Sequence, residues 1–197
     1  MATNILKPTK ILLIGPSFSG KTHILYSANE QEVPETEERG TLRTNETTIE
    51  TGILGIATIK AIEVGGNDEN LIIVTENEFK SADYVLFVFD GKMFIDQVSH
   101  PEKGNEIYAR WLHYNQMFGD EEKWRRAYIV ATHADQVENI GEKIRQHIDE
   151  ANKQYNHLLG DTGIERYKSS LFKSPFFHCI NANNFDDVKK LFQSIKQ

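Results

Sequence analysis

Cysteine is almost missing from this chain: Cys179 is the only one in 197 residues. No internal disulfide can form, and the apolar neighbours of Cys179 place it in a core strand in a reducing compartment. Long hydrophobic runs are also lacking. No stretch approaches the ~18 residues that suggest a membrane span, and the first ten residues lack the apolar core of a signal peptide. Residue 2 is Ala rather than Gly, and the last residues carry no prenylatable cysteine. The expectation is therefore a cytoplasmic protein with no direct lipid anchor, whose membrane contacts are indirect. Basic charge is in deficit. With 22 Lys and Arg against 29 Asp and Glu, the net charge is -7, which argues against broad nucleic-acid binding, because a phosphate backbone is met by clustered cations. Internal repeats and low-complexity tracts are absent too.

What is present is the length of one ordinary domain, expected over 1–197, with 39% hydrophobic residues to build a core. Short runs rich in Ile and Val alternate with longer amphipathic stretches, the pattern of an α/β fold with a largely parallel sheet and helices on both faces. Strands are predicted at Lys10–Ile14, about Asn45–Ile53, Ile56–Val64, Tyr84–Asp90, Ala127–His133 and Phe176–Asn181. The second and third are separated only by Leu54 and Gly55. They should form an antiparallel hairpin, giving six strands with one antiparallel edge strand. Helices are predicted over Lys21–Asn29, Asn70–Ser81, Asn105–Phe118, Asn139–Leu159 and from Asp186 to the last residue. Within Asn105–Phe118, the stripe Ile107, Trp111, Tyr114 and Phe118 reads as core-facing. Loops are expected over Glu30–Asn45, which holds five Glu, around Ser99–Asn105 and over Leu159–Ser170. The seven histidines show no paired metal-ligand spacing.

Chemistry concentrates first at Gly15–Thr22. A Gly, four residues and then Gly-Lys-Thr stand between an apolar strand and an amphipathic helix, the context that gives a phosphate-binding loop its meaning. Gly15 and Gly20 let the backbone wrap a phosphate chain. The loop amides across Ser17, Phe18 and Ser19, and the helix start through His23, supply partial positive charge. Lys21 reaches the outer phosphates, and the Thr22 hydroxyl coordinates Mg2+. Phe18 is unusual there, with three readings open: it covers the nucleotide, packs against a partner, or has a plain packing role.

The base is read elsewhere. Thr132, His133, Ala134 and Asp135 follow a strand, at the end where open α/β sheets bind ligands. They resemble the base motif of the Ras/Arf-like small GTPases, usually Asn-Lys-x-Asp or Thr-Lys-x-Asp. The resemblance implies that Asp135 accepts hydrogen bonds from two guanine nitrogens, and that His133 stands where a lysine stem covers the base. A later backbone loop of the family corresponds to Asn181, Ala182 and Asn183, where only Ala182 matches its Ser-Ala-Lys wording.

Residues 62–69 are similar to the Asp-Val-Gly-Gly-Gln-Asp of Arf-like proteins through Val64, Gly65, Gly66 and Asp68. The resemblance implies that Gly66 senses the γ-phosphate. Glu63 replaces the Asp that supports the magnesium shell, and Asn67 replaces the Gln that positions attacking water. Since placement errors of about 1 Å can cost on the order of a hundredfold in rate, slow intrinsic turnover is expected. Family spacing back from Glu63 points to Thr44, then Thr41, as the switch threonine that meets Mg2+ and the γ-phosphate. Thr47 and Thr48 fall inside the hairpin strand. Arg39 and Arg43 flank this loop and are candidates for an internal arginine finger.

The resemblance thus implies a GTP-binding switch that binds Mg2+ with GTP or GDP, hydrolyses GTP slowly and presents an effector surface, with activating or exchange proteins as further partners and homodimerisation left open. A pseudo-GTPase scaffold without turnover is the alternative from another class. A P-loop kinase ranks last, because no arginine-rich lid accompanies the phosphate loop.

Overall fold

The structure is a computed structural model that describes residues 9–32, 44–51, 55–62, 77–99, 127–159 and 176–195. Within them the element order is β1 (Thr9–Ile14), α1 (Lys21–Ala28), β2 (Thr44–Thr51), β3 (Gly55–Ile62), a helical turn at 77–81, β4 (Tyr84–Asp90), α2 (Gly91–Ser99), β5 (Ala127–Thr132), α3 (Ile140–Leu159), β6 (Phe177–Cys179) and α4 (Phe185–Ser194). The expected helix Asn105–Phe118 lies outside the described residues.

The strands form one six-stranded sheet in the order β2-β3-β1-β4-β5-β6. β2 runs antiparallel to β3, and the other pairings are parallel. The hairpin closes at the pair Thr51 with Gly55. Gly55 is therefore the first residue of β3 rather than part of the turn.

The central strands are apolar throughout because both of their faces are covered. Leu12, Ile14, Val85, Phe87, Phe89, Ile129 and Ala131 pack with Phe79, Phe94 of α2 and Ile140, Ile144 and Ile148 of α3. The alternate residues Ile11, Leu13, Leu86, Val88, Tyr128 and Val130 pack with Ile24 and Leu25 of α1 and with Val188, Leu191 and Phe192 of α4. This two-residue alternation sends successive side chains to opposite layers. Tyr128 adds a polar anchor, its hydroxyl donating to the Ile195 carbonyl at 2.6 Å just beyond α4.

α2 is a helix the sequence reading did not anticipate. It begins without a connecting loop after β4, and the Asp90 carboxylate accepts from the Met93 amide at 2.9 Å to satisfy one orphan donor of its first turn. Gly91 makes the abrupt joint feasible. A Cβ there would lie 2.7 Å from Ile140 Cδ1 and 2.9 Å from the Thr132 carbonyl oxygen.

The topology fixes where a ligand can sit. From β1 the chain moves to β3 on one side, whereas from β4 it moves to β5 on the other. The carboxyl ends of β1 and β4 therefore flank a topological switch point, the place where open α/β sheets form a binding crevice.

Candidate functional site

The turn after β1 is built to bring backbone close to its neighbours. Gly15 has φ 148°, and a Cβ on it would lie 1.9 Å from the Val88 carbonyl oxygen of β4, so only glycine fits between these strands. Gly20 begins α1 as its N-cap at φ 87°. A Cβ there would press on Thr132 Cγ2 at 3.1 Å. Between them Phe18 holds φ 61°, a conformation uncommon for a bulky residue and costing about 1–3 kcal/mol. The residue is 71% exposed.

Lys21 is among the largest fully buried side chains of the described residues. A buried ammonium needs hydrogen-bond partners, and the loop supplies them. Nζ donates to the Gly15 carbonyl at 3.0 Å, the Pro16 carbonyl at 2.6 Å and Ser19 Oγ at 3.0 Å. The cation is thereby held inside the loop, at the first turn of a helix that carries no acidic residue there. Amides, helix terminus and ammonium all favour an anion at this place.

Thr132 connects this loop to the end of β5. Its side chain is fully buried, and Oγ1 lies 3.0 Å from the Ser19 carbonyl oxygen and 3.2 Å from that of Phe89. His133 follows with φ 59°, and Asp135 is exposed just beyond. Farther along the rim, the Ala134 amide donates to the Ile180 carbonyl at 3.2 Å. That contact seats Thr132–Asp135 beside the 181–183 turn. Asn181 Oδ1 accepts from the Asn183 amide at 3.0 Å, and Ser27 Oγ of α1 donates to the Ala182 carbonyl at 2.7 Å. The phosphate loop, Thr132–Asp135 and Asn181–Asn183, three segments distant in sequence, thus share one edge of the sheet.

Thr44 lies at the same edge. It begins β2 paired with Ile62, while β1 and β3 run in step to Leu13 with Ala61. Thr44 therefore stands level with the start of the phosphate loop and opposite the residue preceding Glu63. Thr47 and Thr48 pair with Ile59 and Thr58, deeper along the hairpin. Glu63, Gly66, Asn67, Arg39, Thr41 and Arg43 fall outside the described residues.

Asp90 is the site residue that sequence reasoning passed over. β4 and β5 pair Asp90 with Thr132, and Asp90 Oδ1 comes within 3.4 Å of His133 Nδ1. The available signal was an acid closing an unbroken apolar strand, the position where a carboxylate reaches the ligand end of the sheet.

A solved structure described as "Crystal structure of a probable GTP-binding protein engB" is similar to this chain with a TM-score of 0.62 at 16% sequence identity, over 95% of this chain and 96% of that one. At that identity the likeness shows a shared α/β fold. Against protein-family models and against curated proteins, the sequence has no match. In this fold the Gly15–Thr22 loop leaves β1, and the candidate base segments leave β5 and β6 beside it.

Proposed function

We propose that the chain is a guanine-nucleotide switch that binds GTP and GDP with Mg2+ and hydrolyses GTP slowly. The observation that carries this reading is the contact through Thr132, which joins the Lys21-filled phosphate loop to the strand end bearing His133 and Asp135. A phosphate cradle and a segment with a guanine-type acceptor then lie within reach of one nucleotide. The similarity to a probable GTP-binding protein supports the same choice of base.

Magnesium suits the oxygen donors available. Thr22 lies in the first turn of α1, and Thr44 begins β2 at the same sheet edge, and hydroxyl, carboxylate and phosphate oxygens are the hard ligands Mg2+ takes. Thr22, Thr44 and Glu63 would hold it, and the ion would neutralise charge between the outer phosphates. Lys21 binds those phosphates, Gly66 senses the terminal one, and Asn67 orients water less well than Gln would. The γ-phosphate then orders the segment around Thr41 and Thr44 and exposes a surface for an effector protein in the cytoplasm, with regulators acting on the same segment.

A second reading, a scaffold holding nucleotide without turnover, is favoured by Glu63, Asn67 and the large exposed Phe18. One experiment separates the two. Single-turnover cleavage of Mg-GTP by the full chain, with ATP in parallel, should show slow GTP cleavage that Lys21→Ala abolishes and Asn67→Gln accelerates. Tight GTP binding with no cleavage would support the scaffold, and preference for ATP would overturn the guanine assignment.

A further inference from the structure

The ring of His133 is held by two neighbours, and together they define its protonation pattern. Thr132 Oγ1 has one proton and lies within hydrogen-bond distance of two backbone carbonyl oxygens, at 3.0 and 3.2 Å. Carbonyl oxygens only accept, so a proton pointed at either of them leaves none for a third partner. Toward His133 Nδ1, 3.1 Å away, Oγ1 can then act only as an acceptor. In that arrangement Nδ1 supplies the proton of the contact. The Asp90 carboxylate, 3.4 Å from the same nitrogen, favours a proton there as well. Asp90 Oδ1 is itself fixed by the Met93 amide of α2 at 2.9 Å.

We propose that Asp90 and Thr132 lock His133 as the Nδ1–H tautomer and so fix its imidazole as the cover over a bound guanine base, with Asp90 as the positioning residue. The inference rests on the guanine-nucleotide reading above and adds a residue to it. It also explains how a histidine can serve where the resembling family has a lysine. A long flexible stem covers a base by lying along it, whereas a short flat ring must be clamped at its edge to present a constant face. The lock leaves Nε2 as the acceptor of the neutral ring, and it ties the base site to the first turn of α2 through a single carboxylate.

The test uses the full chain labelled with 15N-histidine, at a pH of about 8 where a histidine of ordinary pKa is neutral. Long-range proton–nitrogen correlations identify the tautomer, with the His133 signals assigned by their loss in His133→Gln. A solvated histidine side chain favours Nε2–H, so the Nδ1–H pattern expected for the wild type is diagnostic. Asp90→Ser, which keeps a good helix cap, should shift the ring toward Nε2–H. It should also speed dissociation of a ribose-labelled fluorescent GDP by about tenfold, the equivalent of ~1.4 kcal/mol. Asp90→Asn, which retains an acceptor but not the charge, should fall between. An Nε2–H pattern in the wild type overturns the lock. Unchanged tautomer and dissociation rate in both variants overturn the role of Asp90. A wild type that shows Nδ1–H yet binds no guanine nucleotide supports the lock and overturns base positioning together with the reading beneath it.

Discussion

Cys179 ends β6 half-buried, where α3 crosses closely enough that a Cβ on Gly141 would lie 3.1 Å from its sulfur. Burial pushes its thiol up to about 11, only partly offset by the positive charge of Arg145. Burial disfavours the thiolate, so the proton is held more tightly in the folded chain than in the unfolded one. The thiol's contribution to stability is therefore complete below the ordinary cysteine range near 8.5 and is lost as pH rises through about 11. The same shift governs reactivity, because the thiolate is the nucleophile. At pH 8 the folded protein should react with iodoacetamide about a hundredfold more slowly than the chain unfolded in urea. Equal rates, followed by mass spectrometry, would show that the thiol is neither buried nor shifted. Tyr128 moves in the same direction, its hydroxyl pushed up by burial and, to a lesser degree, by neighbouring Tyr84. This agrees with a neutral donor closing on the Ile195 carbonyl.

At the scale of elements, α4 shows how a cap serves both packing and site. Asn184 Oδ1 accepts from the amides of Asp186 and Asp187 at 3.0 and 3.1 Å, and Asp187 in turn accepts from the Asn181 amide at 3.1 Å. Asp186 and Asp187 also suit the positive end of the helix. Replacing Asn184 with Ala should cost about 1 kcal/mol, lowering the melting temperature by roughly 2–4 °C for a chain of this length. Asn184→Ser should restore most of the loss. If calorimetry finds no difference between wild type and the Ala variant, the cap contributes nothing to the folded state. The central strands β1, β4 and β5 were the most legible elements because their burial is written as nearly continuous Ile, Val, Leu and Phe, and the helices expected at Lys21–Asn29, Asn139–Leu159 and from Asp186 correspond to α1, α3 and α4. Helix α2 was hidden for a physical reason. It starts directly after a strand with no loop, its first residue is Gly91, and its single deeply buried anchor in the described core is Phe94. A nine-residue segment with one strong anchor gives too weak a pattern to stand apart from a turn.

Across the whole molecule, the parts of the site that lie within one stretch of chain were readable, and those made by the sheet were not. The phosphate loop announces itself because Gly15, Gly20, Lys21 and Thr22 fall within one eight-residue motif. The Asp90 contact with His133 comes from the parallel register that pairs Asp90 with Thr132, 42 residues apart, and no local pattern encodes a register between strands so separated. That sheet-made site leads to a global prediction. A ligand that binds only the folded chain stabilises it by mass action, about 2.7 kcal/mol at a hundred times its dissociation constant. With about 2–4 °C per kcal/mol at this chain length, saturating GDP should raise the melting temperature by about 5–10 °C. Because the loop, Thr132–Asp135 and Asn181–Asn183 are carried on β1, β5 and β6 of one sheet, that gain should appear as a shift of the whole unfolding transition rather than as a separate early step. ATP at the same concentration should give a much smaller shift, since in the proposed reading Asp135 accepts from donors that adenine does not offer. The Lys21→Ala chain should lose the shift for both nucleotides while still unfolding cooperatively. Equal shifts with ATP and GDP, measured by scanning calorimetry, would leave the phosphate loop as the sole determinant of binding and remove Asp135 from base recognition.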